Sequence, residues 1–232
     1  MLKFNEDTRV KIPATIQFLK LGYNYQSLKD DKLDLDFNTK IFINRFKPAI
    51  EKINNTKLSY DDIKQLLDEI NNLIRNNDLG KEFYYRLINP QDKLKLIDFD
   101  NIENNDFAIV DELPFSITPE SDVGSFRPDI NILINGMPLA FLEVKKPNNE
   151  GGIQKEFKRM INDRLKNSEF KKYFNLIQMV SFSNNMEYEE SDEAEDVRAG
   201  SFYTTPNGNN TSFSFFREDD ELYHINYTYK EI

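Results

Sequence analysis

Apolar residues recur every three or four positions in the first part of the chain, which is the spacing of one helix face. The clearest example follows Ser59 and Asp62, which form a capping pair at a helix start. Its apolar positions are Ile63, Leu66, Leu67, Ile70, Leu73 and Ile74. An earlier helix is predicted to bury an apolar side made of Val10, Ile16 and Leu19. The pattern predicts a mainly helical portion over residues 1–100.

The pattern changes beyond residue 100, where short apolar runs rich in β-branched residues predict strands. The predicted elements are, in order, strands at 107–110, 130–134 and 139–144, a helix at 153–172 and a strand at 176–182. Asn135-Gly136, between the second and third strands, favours a tight hairpin turn. No linker-like composition divides the chain, so we predict a single domain over residues 1–232 with its sheet in residues 101–232. The predicted fold class is α/β, with a central mixed β-sheet flanked by helices.

Charged residues at the ends of this hairpin are the first sign of chemistry. Asp129 precedes the first limb, whereas Glu143, Lys145 and Lys146 lie at the end of the second. Charges at the ends of buried strands cost free energy unless they are paired or bind a metal ion. Lys145 lies two residues after Glu143, so both side chains point to one side of a strand. A structural ion pair is the alternative interpretation, since such pairs also occur at strand ends.

The composition narrows the chemistry that the chain can perform. It contains no cysteine and a single histidine, His224, which argues against disulfides, thiolate catalysis and histidine-based zinc or serine hydrolase sites. No glycine-rich phosphate-binding motif is present. Carboxylates and lysines remain, and oxygen ligands suit Mg²⁺. Asp129 and Glu143 are therefore candidate metal ligands, and Lys145 is placed to orient a water molecule or to balance charge on a phosphate.

The net charge of −10 argues against a broad surface for coating nucleic acids. The charge is unevenly distributed, because bases outnumber acids over residues 145–172, whereas residues 187–196 are strongly acidic and are expected to form a solvated loop. No segment approaches the roughly 20 apolar residues of a membrane span, and the N-terminus has no signal-peptide core. We therefore expect a cytoplasmic protein without membrane contacts.

The hairpin also carries a recognisable motif. Arg127-Pro-Asp129, followed by Glu143-Val-Lys-Lys-Pro147, matches the PD-(D/E)xK nuclease pattern. More narrowly, the chain resembles the N-terminal nuclease domain of the R (restriction) subunit of Type I restriction–modification enzymes. Glu6-Asp-Thr-Arg9 resembles the opening helix of that family, a helix follows the ExK strand, and residues 178–185 resemble a family strand that ends in a Ser-Asn turn. The resemblance covers most of the chain.

The resemblance implies a restriction-endonuclease-like core and a site with assigned roles. Asp129 and Glu143 would be metal ligands, with the Val144 carbonyl oxygen as a third. Lys145 would be the catalytic lysine, and Glu6 would approach the metal or its water. DNA contacts are expected from Lys146, Gln154 and Arg159. The chain departs from the family at residues 156–160, because the Q-x-x-x-Y motif often found there is not present and Gln154 lies two residues earlier.

The resemblance also implies an activity and its partners. The expected activity is Mg²⁺-dependent hydrolysis of phosphodiester bonds in unmodified foreign DNA, with Mn²⁺ as a substitute ion. The expected partners are double-stranded DNA and the modification and specificity subunits of the Type I complex. ATP would serve only motor domains in the rest of a longer subunit. Two alternatives stay open: a non-catalytic DNA-binding or assembly module, and a PD-(D/E)xK nuclease from a DNA-repair system.

A metal shared by the two carboxylates makes a geometric demand on the hairpin. With a two-residue turn at Asn135-Gly136 and regular pairing, Asp129 would lie opposite Leu142, and Glu143 would face the other side of the sheet. If one residue of the returning limb is left unpaired, in the turn or in a bulge, Asp129 lies opposite Glu143, with Cβ atoms about 4.5–5.5 Å apart. We therefore predict an odd-length turn or a β-bulge. A regular two-residue hairpin would exclude the shared metal.

Overall fold

A computed structural model describes residues 10–30, 33–91, 93–115, 126–146, 152–186, 201–204 and 214–216. The helices are α1 (Ile12–Lys20), α2 (Ile43–Ile53), α3 (Tyr60–Leu73), α4 (Lys81–Ile88), α5 (Gly152–Arg159) and α6 (Lys171–Leu176). The strands are β1 (Asn24–Tyr25), β2 (Phe107–Asp111), β3 (Ile130–Ile134), β4 (Met137–Val144), β5 (Met179–Ser183), β6 (Ser201–Thr204) and β7 (Ser214–Phe216). The strands form one mixed sheet flanked by helices, so the predicted α/β fold class is confirmed. Glu6, the acidic segment 187–196 and His224 lie outside the described residues.

The seven strands follow one another across the sheet in chain order. β1 runs parallel to β2, and β4 runs parallel to β5, whereas the other neighbouring strands are antiparallel. The parallel β4–β5 pair needs a crossover connection, which contains α5 and α6. The β3–β4 hairpin therefore lies in the interior of the sheet, as its sequence predicts. No helix in the described part of the chain combines the length and apolar character needed to cross a bilayer.

A two-residue turn joins β3 to β4 and is buried against the start of α2. Asn135 and Gly136 both have positive φ, at 51° and 75°, as a type I′ turn requires. The Asn135 side chain donates through Nδ2 to the Leu96 carbonyl at 2.9 Å and accepts through Oδ1 from the Asp106 N–H at 2.7 Å. The Gly136 carbonyl accepts from the Phe42 N–H at 2.9 Å. The predicted tight turn is therefore confirmed, and the helical portion covers it.

A β-bulge interrupts the hairpin shortly after the turn. Leu133 pairs with Pro138, but its neighbour Ile132 pairs with Ala140, so Leu139 is an extra residue in β4. The predicted irregularity is therefore confirmed, and it takes the form of a bulge rather than an odd-length turn.

The bulge changes which side of the sheet the residues of β4 face. Met137 packs with the apolar residues of α2, α3 and α4. Phe141 instead packs with the aromatic residues that accompany α6. Side chains four positions apart on a regular strand would face the same side. The separate packing of these two residues is what a bulge at Leu139 requires.

Replacement of Gly136 by alanine should destabilise the fold by about 2–5 kcal/mol. An added Cβ would lie 2.6 Å from the Phe42 carbonyl oxygen and 2.8 Å from the Phe46 nitrogen, so backbone atoms would have to move. Gly22 is a matched control, since its φ is also positive but nothing lies within 4 Å of an added Cβ. Gly22→Ala should therefore cost only about 1–2 kcal/mol. Urea denaturation measures both losses, and equal values would contradict the steric explanation.

The helical portion confirms one sequence prediction and corrects another. α3 begins with the predicted capping box, in which Ser59 and Asp62 each accept a hydrogen bond from the other's backbone N–H. At the N-terminal helix, Val10 is buried, but Ile16 and Leu19 are 46% and 43% exposed. The predicted buried side of that helix is therefore wrong. α1 contains no buried residue. Val10 and Lys11, in the turn that precedes α1, are buried.

The single helix predicted over residues 153–172 is interrupted. α5 continues into a π-helical turn at Met160–Arg164 and ends before Asn167, whose side chain accepts a hydrogen bond from the Glu169 N–H at 3.0 Å. Asparagine side chains compete with helical hydrogen bonds in this way. The break allows α6 to contribute to an aromatic cluster on one side of the sheet. The aromatic cluster consists of Phe115, Phe126, Phe141, Phe170, Tyr173, Phe174 and Phe182.

Candidate metal centre

Asp129 and Glu143 lie beside each other at the end of the hairpin remote from the turn. Ile130 pairs with Leu142, and the next pair in this register is Asp129 with Glu143. Oδ2 of Asp129 accepts a hydrogen bond from the Val144 N–H at 2.8 Å, which turns the Asp129 side chain toward β4. The bulge therefore brings together the two residues that sequence reasoning proposed as metal ligands.

Glu143 is a buried acid next to a second acid. It is only 6% exposed, and burial raises the pKa of its carboxyl well above the usual value. The charge of Asp129 and a hydrogen bond between the two side chains raise this pKa further, whereas Lys145 opposes the shift. A proton shared between the carboxyls relieves their repulsion, and a divalent cation would relieve it more strongly.

The aromatic cluster packs on the side of the sheet that bears the carboxyl pair. Phe141 lies two residues before Glu143 and stacks on Tyr173, with ring centroids 5.9 Å apart. Burial raises the pKa of the Tyr173 phenol well above its usual value, and the charge of Glu143 adds to the shift. The Tyr173 hydroxyl donates to Oδ1 of Asn131 at 2.5 Å. This packing excludes water from one side of the site, so charges there interact more strongly than they would in water.

Lys145 and Lys146 follow directly after β4, and both are partly buried. The backbone N–H of Lys145 donates to the Ser183 carbonyl at 2.9 Å, which extends the pairing with β5. The strand alternation therefore keeps Lys145 on the side of Glu143 and assigns Lys146 to the opposite side. The charge of Lys145 lowers the pKa of Glu143, against the larger effect of burial.

The other predicted site residues lie on α5 or outside the described residues. Gln154 lies in the first turn of α5. Arg159 ends that helix, and its Nη1 lies 3.3 Å from Oε1 of Glu156. The charge of Glu156, on α5, adds to the raised pKa of Glu143. The approach of Glu6 to a metal stays a prediction.

Arg164 borders the site, although the sequence pattern did not single it out from the other bases of its segment. Its guanidinium carbon lies 4.3 Å from the centre of the Phe126 ring, which is a cation–π contact. Burial and Arg159 lower the pKa of Arg164, whereas Glu143 and Glu156 oppose that lowering. The cation is therefore held half-buried between the aromatic cluster and the carboxyl pair.

Lys11, the residue before α1, forms an ion pair with Glu112, whose backbone binds Asp129. Its Nζ lies 2.6 Å from Oε1 of Glu112, and the Lys11 side chain is largely buried. The backbone N–H of Glu112 donates to the Asp129 carbonyl at 3.2 Å, and Glu112 has a positive φ of 51°. Burial lowers the pKa of Lys11, but Glu112, Asp111 and Asp129 raise it by more. No local sequence signal could find this pair, because 101 positions separate its members.

The donor set suits a hard divalent cation. Asp129 and Glu143 offer carboxylate oxygens, and Val144 offers a backbone carbonyl at the same strand end. Among the described residues, no three acidic or histidine side chains converge on one point. Water molecules would complete the coordination, as is usual for Mg²⁺. The pair formed by the buried Glu143 and the half-buried Asp129 therefore fits Mg²⁺ or Mn²⁺.

Comparison with known proteins finds a family match for the part of the chain that contains this site. Residues 3–193 match the family described as Type I restriction enzyme R protein N terminus. The chain belongs to this family. The match includes the β3–β4 hairpin, α5 and α6, and so covers the whole candidate metal centre. The resemblance drawn from the RPD and EVKKP motifs is thereby confirmed.

Two curated relatives of this R protein N terminus come from Methanocaldococcus jannaschii. One, named "Putative type I restriction enzyme MjaIXP endonuclease subunit", is 34% identical in an alignment that covers 62% of this chain and 16% of that protein. Another, named "Putative type I restriction enzyme MjaVIIP endonuclease subunit", is 42% identical over 23% of this chain and 5% of its own length. The chain therefore spans only a small part of the relatives that it matches.

Proposed function

We propose that this R protein N terminus is a Mg²⁺-dependent DNA endonuclease domain in which Mn²⁺ can replace Mg²⁺. The observation that carries the proposal is the bulge at Leu139, which places Asp129 opposite Glu143 at a buried strand end. The PD-(D/E)xK spacing adds Lys145 on the same side of the sheet. The names of both relatives as endonuclease subunits support the same function.

The proposed reaction is the hydrolysis of a phosphodiester bond. The oxygen of water bonds to phosphorus, the bond from phosphorus to one sugar oxygen breaks, that oxygen takes one proton, and a second proton passes to solvent. Asp129, Glu143 and the Val144 carbonyl would hold the ion. A bound Mg²⁺ would act as a Lewis acid on the phosphate and lower the pKa of a water molecule.

The residues of the chain supply positioning and charge. The Lys145 ammonium group donates hydrogen bonds to the attacking water or to the phosphate, from the side of the sheet that bears Glu143. The aromatic cluster keeps bulk water from one side of the site, which strengthens these interactions. We expect Lys146 at the hairpin end, and Gln154 and Arg159 in α5, to contact the DNA backbone.

The proposed activity belongs to a longer protein, since the chain matches 16% of its relative. We propose that this protein acts in the cytoplasm on unmodified double-stranded DNA, together with modification and specificity subunits. ATP would be used by motor domains in the rest of the subunit. The chain has a net charge of −10 and so lacks a broad basic track for DNA. We therefore expect the chain alone to cleave DNA weakly at most.

Titration of the chain with Mn²⁺, followed by the electron paramagnetic resonance signal of the free ion, tests the proposal. The wild-type chain should bind Mn²⁺, and Asp129→Asn should lower the affinity at least about tenfold, because the loss of a ligand costs more than that of an outer-shell partner. Asp100→Asn is the control, since this exposed acid pairs with Lys95 instead. Equal affinity in the wild type and in Asp129→Asn would contradict the proposal, as would a wild type that binds no Mn²⁺.

Arg164→Gln should weaken DNA binding and lower the slope of log K against log salt by about 1, as the loss of one phosphate contact does. Its guanidinium lies over the Phe126 ring, and we propose that it contacts a DNA phosphate near the carboxyl pair. Lys20→Gln removes the same charge from the end of α1 and is the control. Fluorescence anisotropy with labelled duplex DNA measures both slopes. An unchanged slope in Arg164→Gln would show that the arginine only caps the aromatic cluster.

A further inference from the structure

Asn131 is a polar residue in the middle of a buried apolar strand. β3 reads Ile-Asn-Ile-Leu-Ile, and Asn131 is fully buried. Asparagine is depleted in strands, and buried polar groups without partners are rare. Oδ1 of Asn131 accepts from the Tyr173 hydroxyl, but Nδ2 has no hydrogen-bond partner among the described residues. One end of this amide is therefore satisfied, and the other is not.

The hairpin register places Asn131 beside the carboxyl pair. It pairs with Phe141, so it lies two residues from Asp129 and diagonally across from Glu143. All of these residues face the same side of the sheet. Diagonal neighbours in antiparallel strands are within reach of long side chains. Glu143 is therefore the carboxylate diagonally adjacent to the free amide group of Asn131.

Tyr173 fixes the direction of this amide group. The phenol hydroxyl donates to Oδ1, which leaves both donor hydrogens of Nδ2 on the other side of the amide. Tyr173 packs within the aromatic cluster, and its ring centroid lies 5.8 Å from that of Phe126 and 5.9 Å from that of Phe141. The charge of Glu143 also raises the pKa of the Tyr173 phenol, after the larger effect of burial.

We propose that Asn131 is a positioning residue that donates a hydrogen bond from Nδ2 to the Glu143 carboxylate when the site holds its divalent cation. The inference rests on the proposed function. A carboxylate that gives one oxygen to a cation presents its second oxygen to the protein, and such oxygens are usually held by a donor. Asn131 supplies that donor, and Tyr173 keeps it oriented. Both residues act through Glu143 rather than on the substrate.

Mn²⁺ titration of four proteins tests the inference: the wild type, Asn131→Ala, Tyr173→Phe and Asn175→Ala. Asn131→Ala should lower the Mn²⁺ affinity by about 10- to 100-fold, which is the usual effect of losing an outer-shell partner. Tyr173→Phe should lower it in the same direction by a smaller factor. Asn175 is the matched control, because it is also buried and lies in α6, but its Nδ2 donates to the Ile74 and Asn76 carbonyls. Asn175→Ala should lower the melting temperature and leave the Mn²⁺ affinity unchanged.

Each outcome decides between positioning and simple packing. Unchanged affinity in Asn131→Ala, with wild-type binding that depends on Asp129, would overturn this inference and leave the proposed function standing. Equal losses of affinity in Asn131→Ala and Asn175→Ala would also overturn it, since general destabilisation would explain both. If Asn131→Ala does not fold, Tyr173→Phe decides, and unchanged affinity there overturns the inference. A wild type that binds no Mn²⁺ overturns the inference and the proposed function together.

Discussion

Asp129→Ala and Lys145→Ala should each lower DNA cleavage by the assembled restriction enzyme at least about 10²-fold, for different reasons. Asp129→Ala removes a proposed metal ligand, so Mn²⁺ affinity should fall together with the cleavage rate. Lys145→Ala leaves both carboxylates in place, so the cleavage rate should fall while Mn²⁺ affinity changes little. Single-turnover cleavage of plasmid DNA and Mn²⁺ titration of the same variants separate the two effects.

Lys146→Ala is the control for the loss of a lysine at this strand end. Lys146 adjoins Lys145, but the strand alternation assigns it to the other side of the sheet. Its removal should weaken DNA binding modestly and leave the single-turnover rate at saturating DNA nearly unchanged. If Lys146→Ala loses as much of that rate as Lys145→Ala, the catalytic role of Lys145 is wrong.

Insertion of one alanine between Ala140 and Phe141 should abolish Mn²⁺ binding although it alters no candidate ligand. Leu139 is the extra residue of the hairpin. With the bulge at Leu139 kept, the inserted alanine would pair with Asn131, Asp129 would lie opposite Leu142, and Glu143 would face the other side of the sheet. Circular dichroism first establishes that the insertion variant is folded, and Mn²⁺ titration then measures its affinity.

Leu139→Ala separates the hairpin register from a loss of stability. Leu139 is buried in the core beneath the helical portion. Its truncation should cost about 2–5 kcal/mol of unfolding free energy, yet it keeps the number of residues in β4. Leu139→Ala should therefore bind Mn²⁺ like the wild type while unfolding at lower urea concentration. A folded insertion variant with wild-type Mn²⁺ affinity would show that the hairpin register does not unite the carboxylates.

Local sequence patterns predicted the hairpin, and the requirement of a shared metal predicted an odd-length turn or a bulge within it. Asn135-Gly136 is a signal carried by two adjacent residues, and the strand period is two, so the faces of Asp129 and Glu143 follow from counting. The capping box at Ser59 is equally local. Such features depend on residues close in sequence, and they can be read without knowing the rest of the fold.

Features that depend on distant residues were missed or predicted wrongly. The Lys11–Glu112 ion pair joins residues 101 positions apart, and no pattern connects them. Periodicity predicted that Ile16 would be buried, but an apolar stripe does not reveal whether another element packs on it. Arg164 resembles the other bases of its segment in sequence, and only the π-helical turn and the ring of Phe126 distinguish it.

The buried turn at Asn135-Gly136 bears on the order in which the molecule can form. Its hydrogen bonds go to Leu96, Asp106 and Phe42, all of which precede it in the chain. During synthesis the helical portion leaves the ribosome before the hairpin and can fold first. The hairpin then forms against a surface that is already present, and the carboxylates meet only when its register is complete. A fragment that begins after Phe42 would contain both carboxylates but would lack the backbone that holds Gly136.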